Sequence, residues 1–515
     1  MKRGKRGLSR RRDAVGVVGA GTMGAGIAQL AANAGHAVCL HDLDAAAIDA
    51  AVVRIERGLR GRKSEDEIAA LRSRIRRCAD LEQLADCRLI IEAAREDQSV
   101  KRHLLARLEQ CVRADAILAT NTSSLSITAL GAELARPENL VGMHFFNPVP
   151  AMKLVEVVSA RATAAEVAQC VFDTAADWGK KPVRARDSPG FIVNRVARSF
   201  YAEPLRLLHE GAAGVATLDA LLVAVGFRMG AFELMDVIGN DVNYAVTESV
   251  FNAFHQDARF RPSPLQRELV AGGLLGRKSG RGWYDYSDAR SNPPVEDAVS
   301  DYRPTAITLR GDLGVAAALP ALAERAGIAV RREAGEAGVI VDGVLLALTD
   351  GRAATLRARD SGCSELVLFD LLGDYVENSR IAVAAARQAS EQSLHRAVGF
   401  FNALGKTVSV LDDAPGLCVM RTVCMLANEA ADTVYQGVCD AAAVDRAMRY
   451  GMNYPRGPLA WADRIGVARV QAVLRNLQRS CDAERYRRSL LLDRMADAGE
   501  TFHADANTNT DEARA

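Results

Sequence analysis

Between Asn121 and Glu156 the chain reads NTSSLSI and then GMHFFNPVPAMKLVEVV, so Ser123, His144, Asn147 and Glu156 fall within 36 residues. A histidine titrates near neutrality and accepts protons well once a carboxylate fixes its tautomer and supports its charged form. Glu156, 12 residues after His144, is such a carboxylate, and the hydroxyls around Ser123 could hold a substrate oxygen. A blander reading stands beside this one. His144, next to two phenylalanines, is then a satisfied core histidine with Glu156 as its ion partner, and Ser123 a turn or helix-cap residue. A general base alone does not name a reaction, so the decision passes to the elements upstream.

Ala14-Val15-Gly16-Val17-Val18 fits a buried parallel strand. It leads into Gly19-Ala20-Gly21-Thr22-Met23-Gly24, and AGIAQLAANAG then reads as a helix closed by Gly35. Gly19 permits the tight turn, Gly21 lets backbone approach a pyrophosphate, and Gly24 allows close helix–strand packing. The helix N-terminus offers free amides to the phosphates. A second strand, His36 to Leu40, is followed by Asp42, 18 residues after Gly24. There a carboxylate grips the ribose hydroxyls of NAD and repels the 2′-phosphate of NADP; otherwise Asp42 is a solvated loop or cap residue. Arg88–Glu92, Ala116–Thr120 and Leu140–Phe146 continue the same doubly wound domain. Glu96, Asn121 and Ser123 lie just past strand ends, where such folds bind ligands.

The rest of the composition narrows the class. At 515 residues the length suggests roughly three or four domains. A net charge of +1 and 5% aromatics argue against nucleic acid or a membrane surface as partner. Ten cysteines without CxxC or Cys/His pairing read as reduced thiols, with neither disulfides nor metal, in a cytoplasmic protein. The basic start, MKRGKRGLSRRR, reads as a disordered extension.

Taken together, GAGTMG, Asp42, NTSS, HFFNPVPAMKLVEV, DSPGFIVNR, GxFELMDxIG and GRKSGRGWYDY resemble the L-3-hydroxyacyl-CoA dehydrogenases over residues 14 to 286. The resemblance implies NAD-dependent oxidation of a 3-hydroxyacyl-CoA. It implies His144 as base, Glu156 as its orienting carboxylate, and Ser123 and Asn194 as holders of the substrate oxygen. Gly19, Ala20, Gly21, Thr22, Met23, Gly24, Asp42, Glu96, Lys101, Asn121, Asn147 and Lys278 are implied on the cofactor side. Taken singly, Asn194 is a polar helix position and Lys278 a solvated lysine. Ala231 departs from the family's usual proline, which predicts a small loss of stability and no change of reaction. Arg54, Arg57, Arg60 and Arg62 either meet coenzyme A phosphates or form a solvated helix face.

The second half repeats the first. Gly179-Lys180 and Gly405-Lys406 are 226 apart (405 minus 179), and Asp187-Ser-Pro-Gly190 recurs as Asp413-Ala-Pro-Gly416 at that offset. Collinear self-similarity of this length is duplication. Met420 stands where Asn194 stands, GDLGVA lacks the glycine spacing, and ELVLFDLLGDY carries no histidine. The expected organisation is a basic extension 1–12, an NAD-binding domain 13–185 and a helical domain 186–290. A degenerate Rossmann-like region 300–405, a second helical domain 406–500 and a tail 501–515 follow, with one active site per chain. Either a homodimer or a monomer with an internal pseudo-dimer of helical domains fits this plan. Two-lobed chains of this kind resemble the dehydrogenases of phenylacetate breakdown, which implies 3-hydroxyadipyl-CoA. A short-chain 3-hydroxybutyryl-CoA enzyme and a catalytically silent NAD-binding or structural member are the alternatives.

Overall fold

The computed structural model describes Leu8, residues 13–288 and residues 292–503. Of the predicted basic extension only Leu8 is described, buried with its amide on the Thr174 hydroxyl; the rest of it, and the tail from residue 504, lie outside the described residues.

The described chain divides into two compact units, one running to Arg195 and also taking Gly437–Met452, the other formed by Val196–Gln436 and the chain from Asn453. In the first unit, eight strands form one sheet: β1 Ala14–Val18, β2 Val38–His41, β3 Ile75–Cys78, β4 Cys87–Glu92, β5 Ile117–Thr120, β6 Leu140–Phe145, β7 Leu154–Ser159 and β8 Lys181–Arg186. Their order is β3-β2-β1-β4-β5-β6-β7-β8, parallel except for the β6–β7 pair. Strand order reverses between β1 and β4, which opens a crevice at their carboxyl ends. The apolar runs read from the sequence become β1, β2, β4, β5 and β6 with shifts of one or two residues at their ends. β3 was not among them. Its IRRC carries two exposed arginines on an edge strand, so the apolar signal is missing, and the arginine-rich stretch splits into helices Ala45–Leu59 and Glu65–Arg72 before it.

The second unit holds the remaining helices of both repeats and a smaller sheet. Its strands are β9 Ala306–Arg310, β10 Ala329–Glu333, β11 Gly338–Val341, β12 Val344–Leu348, β13 Leu366–Phe369, β14 Arg380–Ala385 and β15 Thr407–Val410. The order is β10-β9-β11-β12-β13-β14-β15. After β9–β10 the chain turns back in a β11–β12 hairpin in place of a further crossover, so only a remnant of the doubly wound pattern survives.

The repeats exchange a helix. Helix Ala441–Gly451 of the second repeat packs on β7 and β8, and Arg186 donates its backbone N–H to the Val438 carbonyl at 2.8 Å. Helix Val215–Ala224 of the first repeat packs on β14, and Asp412 donates to the Ala212 carbonyl at 2.9 Å. The two hydrogen bonds are the same bond at the 226-residue offset (412 minus 186, 438 minus 212).

Candidate active site and cofactor cleft

The spacing of His144 and Glu156 is a consequence of the β6–β7 turn. The two residues are direct cross-strand partners in the antiparallel pair, so their side chains leave the sheet on one face. His144 Nδ1 meets Glu156 Oε2 at 2.6 Å, with His144 5% exposed and Glu156 fully buried. The second carboxylate oxygen accepts the backbone amides of Ile192 and Val193, both at 3.0 Å. A carboxylate held from both sides cannot rotate, so it keeps the Nδ1 proton in place and leaves the Nε2 lone pair to accept another. Phe146 and Phe191 flank the imidazole, with ring centroids 4.5 and 5.7 Å away.

The NTSS loop is built around Glu96. One oxygen of that carboxylate accepts the Thr122 hydroxyl at 2.7 Å, the Ser123 amide at 2.9 Å and the Ser124 amide at 3.2 Å. Burial pushes the Glu96 carboxyl up, but the Thr122 hydroxyl, the Lys101 ammonium and the loop amides outweigh it, and the net shift is downward. The Ser123 hydroxyl lies 3.3 Å from the same oxygen, and Asn194 Nδ2 donates to the Ser123 carbonyl at 3.3 Å. Asn121 Oδ1 accepts the Phe145 amide at 2.9 Å and ties this loop to the histidine strand. Asn147 is exposed, just beyond that strand.

The glycine loop fits a dinucleotide. Gly19 has φ +103°, and a Cβ there would sit 2.5 Å from the Ala93 carbonyl oxygen. A Cβ on Gly24 would meet the Gly19 oxygen at 1.7 Å, so the turn's own carbonyl, more than the strand, demands glycine. Beside Gly21 there is open space, where backbone and ligand approach each other. Helix Thr22–Asn33 starts there with no side-chain cap and no acidic residue in its first turn, leaving its amides for an anion. Asp42 accepts the Ala20 amide at 2.6 Å and the Asp44 amide at 3.0 Å, so it shapes the loop and still offers lone pairs to a diol. Gly19, Gly21, Asp42 and Leu43 line a cleft of about 740 Å³, and Leu43, 96% exposed, offers an apolar face to a flat ring.

The description "3-hydroxyacyl-CoA dehydrogenase, NAD binding domain" matches residues 14–188, and "3-hydroxyacyl-CoA dehydrogenase, C-terminal domain" matches 190–286 and again 416–507. "3-hydroxybutyryl-CoA dehydrogenase reduced Rossmann-fold domain" matches 346–415. The 3-hydroxyadipyl-CoA dehydrogenase of Escherichia coli (strain K12) is 42% identical over 489 residues, covering 94% of this chain and 97% of its own. The chain belongs to the 3-hydroxyacyl-CoA dehydrogenase family. The crystal structure of 3-hydroxybutyryl-CoA dehydrogenase from Escherichia coli K12 superposes with a TM-score of 0.87 at 40% identity, covering 96% of this chain and 99% of that one. A probable 3-hydroxybutyryl-CoA dehydrogenase of Deinococcus radiodurans is 42% identical over 277 residues, covering 53% of this chain and 99% of its own. This dehydrogenase is thus an NAD-dependent oxidoreductase with two lobes, the first of which carries the glycine loop and the histidine.

Two expected cofactor residues of the dehydrogenase sit differently from the rest. Lys101 is 1% exposed, its ammonium 2.7 Å from Glu92, 3.2 Å from the Ala94 carbonyl and 3.3 Å from Glu96. Its visible work is to neutralise two carboxylates beneath the cleft. Lys278 belongs to the other unit, where it is exposed and paired with Asp241 at 2.5 Å. Arg54, Arg57, Arg60 and Arg62 are exposed without an ion pair among the described residues. Ala231 opens helix Ala231–Ile238, and Asp219 caps it by accepting the Phe232 and Glu233 amides, both at 2.9 Å.

Sequence reading missed three supports of the dehydrogenase site. Glu92, at the end of β4, accepts from Thr120 at 2.6 Å as well as Lys101. Lys180 is buried and donates to the Val149 and Met152 carbonyls at 2.6 and 2.7 Å, fixing the loop after Asn147; burial pushes it down to about 8. A signal existed for Glu92, an acid inside an apolar run that needs a partner, whereas Lys180, between Gly179 and Lys181, was marked only by its recurrence as Lys406. The third is helix Ala441–Gly451, where a Cβ on Gly451 would press on Leu154 at 2.6 Å and Val193 at 3.1 Å.

Proposed function

We propose that this dehydrogenase oxidises 3-hydroxyadipyl-CoA to its 3-oxo product, with His144 as base and Glu156 as the group that orients and supports it. The hydroxyl proton passes to His144 Nε2, the C3 hydrogen leaves as hydride, and the oxygen becomes a carbonyl held by Ser123 and Asn194. Bound NAD supplies the hydride acceptor. The observation that carries the reaction is the 2.6 Å His144–Glu156 contact beside the NTSS loop. The resemblance over both lobes to a protein named for 3-hydroxyadipyl-CoA favours that substrate. A 3-hydroxybutyryl-CoA reading is favoured by the name of the solved two-lobed structure. Comparing kcat/KM for the two substrates tests this. At least a tenfold preference for the adipyl form supports the first reading, and equal or better use of butyryl overturns it. NAD binding without turnover of either would return the protein to the silent class.

The chain is also read as cytoplasmic and as its own pseudo-dimer. All ten cysteines are free, and among the described residues no helix is long and apolar enough to cross a membrane. The helix exchange supplies from one chain what a second copy would otherwise provide. Light scattering should give a monomer for the full chain. Residues 1–290 alone lose the Ala441–Gly451 cover of β7 and should dimerise or aggregate; a stable monomer would count against the idea.

A further inference from the structure

The helical repeats are not equivalent at one place. In the second repeat Asn428 is buried, its side-chain amide donating to the Arg487 carbonyl at 2.9 Å and accepting the Ser489 amide at 2.8 Å. Subtracting 226 from each gives Ala202, Arg261 and Ser263 (428, 487 and 489 minus 226). Alanine cannot reach these groups. Neither the Ser263 amide nor the Arg261 carbonyl has a hydrogen-bond partner among the described residues, and a cavity of about 250 Å³ lies where the asparagine would be, lined by Ala202, Arg206, Arg261 and Ser263 among others.

The charge around the vacancy is inverted as well. Asp432, which pairs with Arg259, is replaced at the matching position by Arg206 (432 minus 226). Arg259 and Arg485 on the cavity wall are committed to Glu429 and Glu203, and Glu210 to Arg421. Arg206 and Arg261 have no carboxylate partner among the described residues, and the Nε atoms of Arg206 and of the buried Arg259 are enclosed without an acceptor. Arg198, also on the wall, donates to Thr247 at 2.9 Å. Helix Pro264–Ala271 begins at Ser263 with no side-chain cap. Unpaired guanidinium N–H groups and free amides at a helix start are the donors that bind carboxylate and phosphate.

We infer that this cavity is a binding site for a small oxyanion, a carboxylate or a phosphate, whose oxygen takes at Ser263 the place that the Asn428 carbonyl oxygen takes at Ser489. The volume suits an ion or the end group of a small acid. Calorimetric titration of the full chain with inorganic phosphate and, separately, with succinate, against chloride at matched ionic strength, tests it and tells the two chemistries apart. One of them should saturate a single site per chain. Ala202→Asn, which rebuilds the second repeat's side chain, and Arg206→Gln should each weaken that binding at least tenfold while NAD-linked turnover is unchanged. Failure of both anions to bind, or binding that survives both substitutions, overturns the inference. If Ala202→Asn does not fold, Arg206→Gln and Arg261→Gln decide the matter in its place.

Discussion

In the first sheet Glu156 reaches across to His144 and accepts the amides of Ile192 and Val193. In the second sheet the 226-residue offset puts Asp370 at the histidine's position and Ala382 at the glutamate's (144 plus 226, 156 plus 226). Asp370 alone accepts the amides of Cys418, Val419 and Met420, at 2.9, 2.7 and 2.9 Å. Both solutions secure the start of the next helix. Only the first leaves over an imidazole nitrogen. Around this difference the mechanical parts recur: Lys406 bridges the Val376 and Asn378 carbonyls as Lys180 bridges its own, and Leu417 repeats the left-handed backbone of Phe191 (φ 54° and 48°). Duplication therefore kept what holds helices to sheets and discarded what moves protons, a separation possible because two side chains at this spot divide jobs that one carboxylate can merge.

The largest expected effect comes from imposing the second solution on the first. The double change His144→Asp, Glu156→Ala should lower turnover by about 100- to 10,000-fold, the usual worth of a positioned base, while NAD binding persists. Its melting temperature should stay above that of Glu156→Ala alone. The single change leaves two buried amides without an acceptor, at about 1–3 kcal/mol each. If the double variant melts no higher than the single one, Asp370 is not doing in its lobe what Glu156 does in the other.

A second contrast lies between buried and exposed ion pairs. Glu203 is buried between Arg421 at 3.0 Å and Arg485 at 3.5 Å, and Tyr486 donates to it at 2.6 Å, tying the two helical repeats together. Glu203→Gln should cost about 3–5 kcal/mol in denaturant unfolding, because a guanidinium is left buried without its counter-charge. Lys278→Gln, at an exposed pair, should cost under about 1 kcal/mol. Equal losses would mean the buried network holds no more than a surface pair does.

How much of this was legible in the sequence follows from the range of each signal. β1 with its glycine loop, and the strand of His144, announce themselves by short apolar runs and fixed spacings. The Glu156 distance is legible too, since 12 residues close a β6–β7 pair. The duplication gave the offset, and the offset finds Asp370 without a structure. The helix exchange had no local signature: Ala441–Gly451 reads as an ordinary amphipathic helix whichever sheet it covers. Lys101 is implied on the cofactor side by the resemblance alone, and its bond to Glu92 has no local signature because it forms only once β4 and the following helix are folded together.

The last prediction concerns pH. Burial raises Asp370 to about 6, against which the amides of Met420, Val419, Leu371 and Cys418 pull downward. A carboxyl whose folded pKa lies above its unfolded value adds stability below the unfolded pKa and loses it as pH rises through the folded one. With an unfolded value near 3.8, the shift is worth up to about 3 kcal/mol, present at pH 4 and gone by pH 7. Asp370→Asn has no such titration. Its penalty relative to the parent, from unfolding at several pH values, should therefore be greatest near pH 4 and shrink toward pH 7. A penalty that grows with pH would mean the amides hold the carboxylate charged in the fold, and that Asp370 resembles Glu156 in charge as well as in partners.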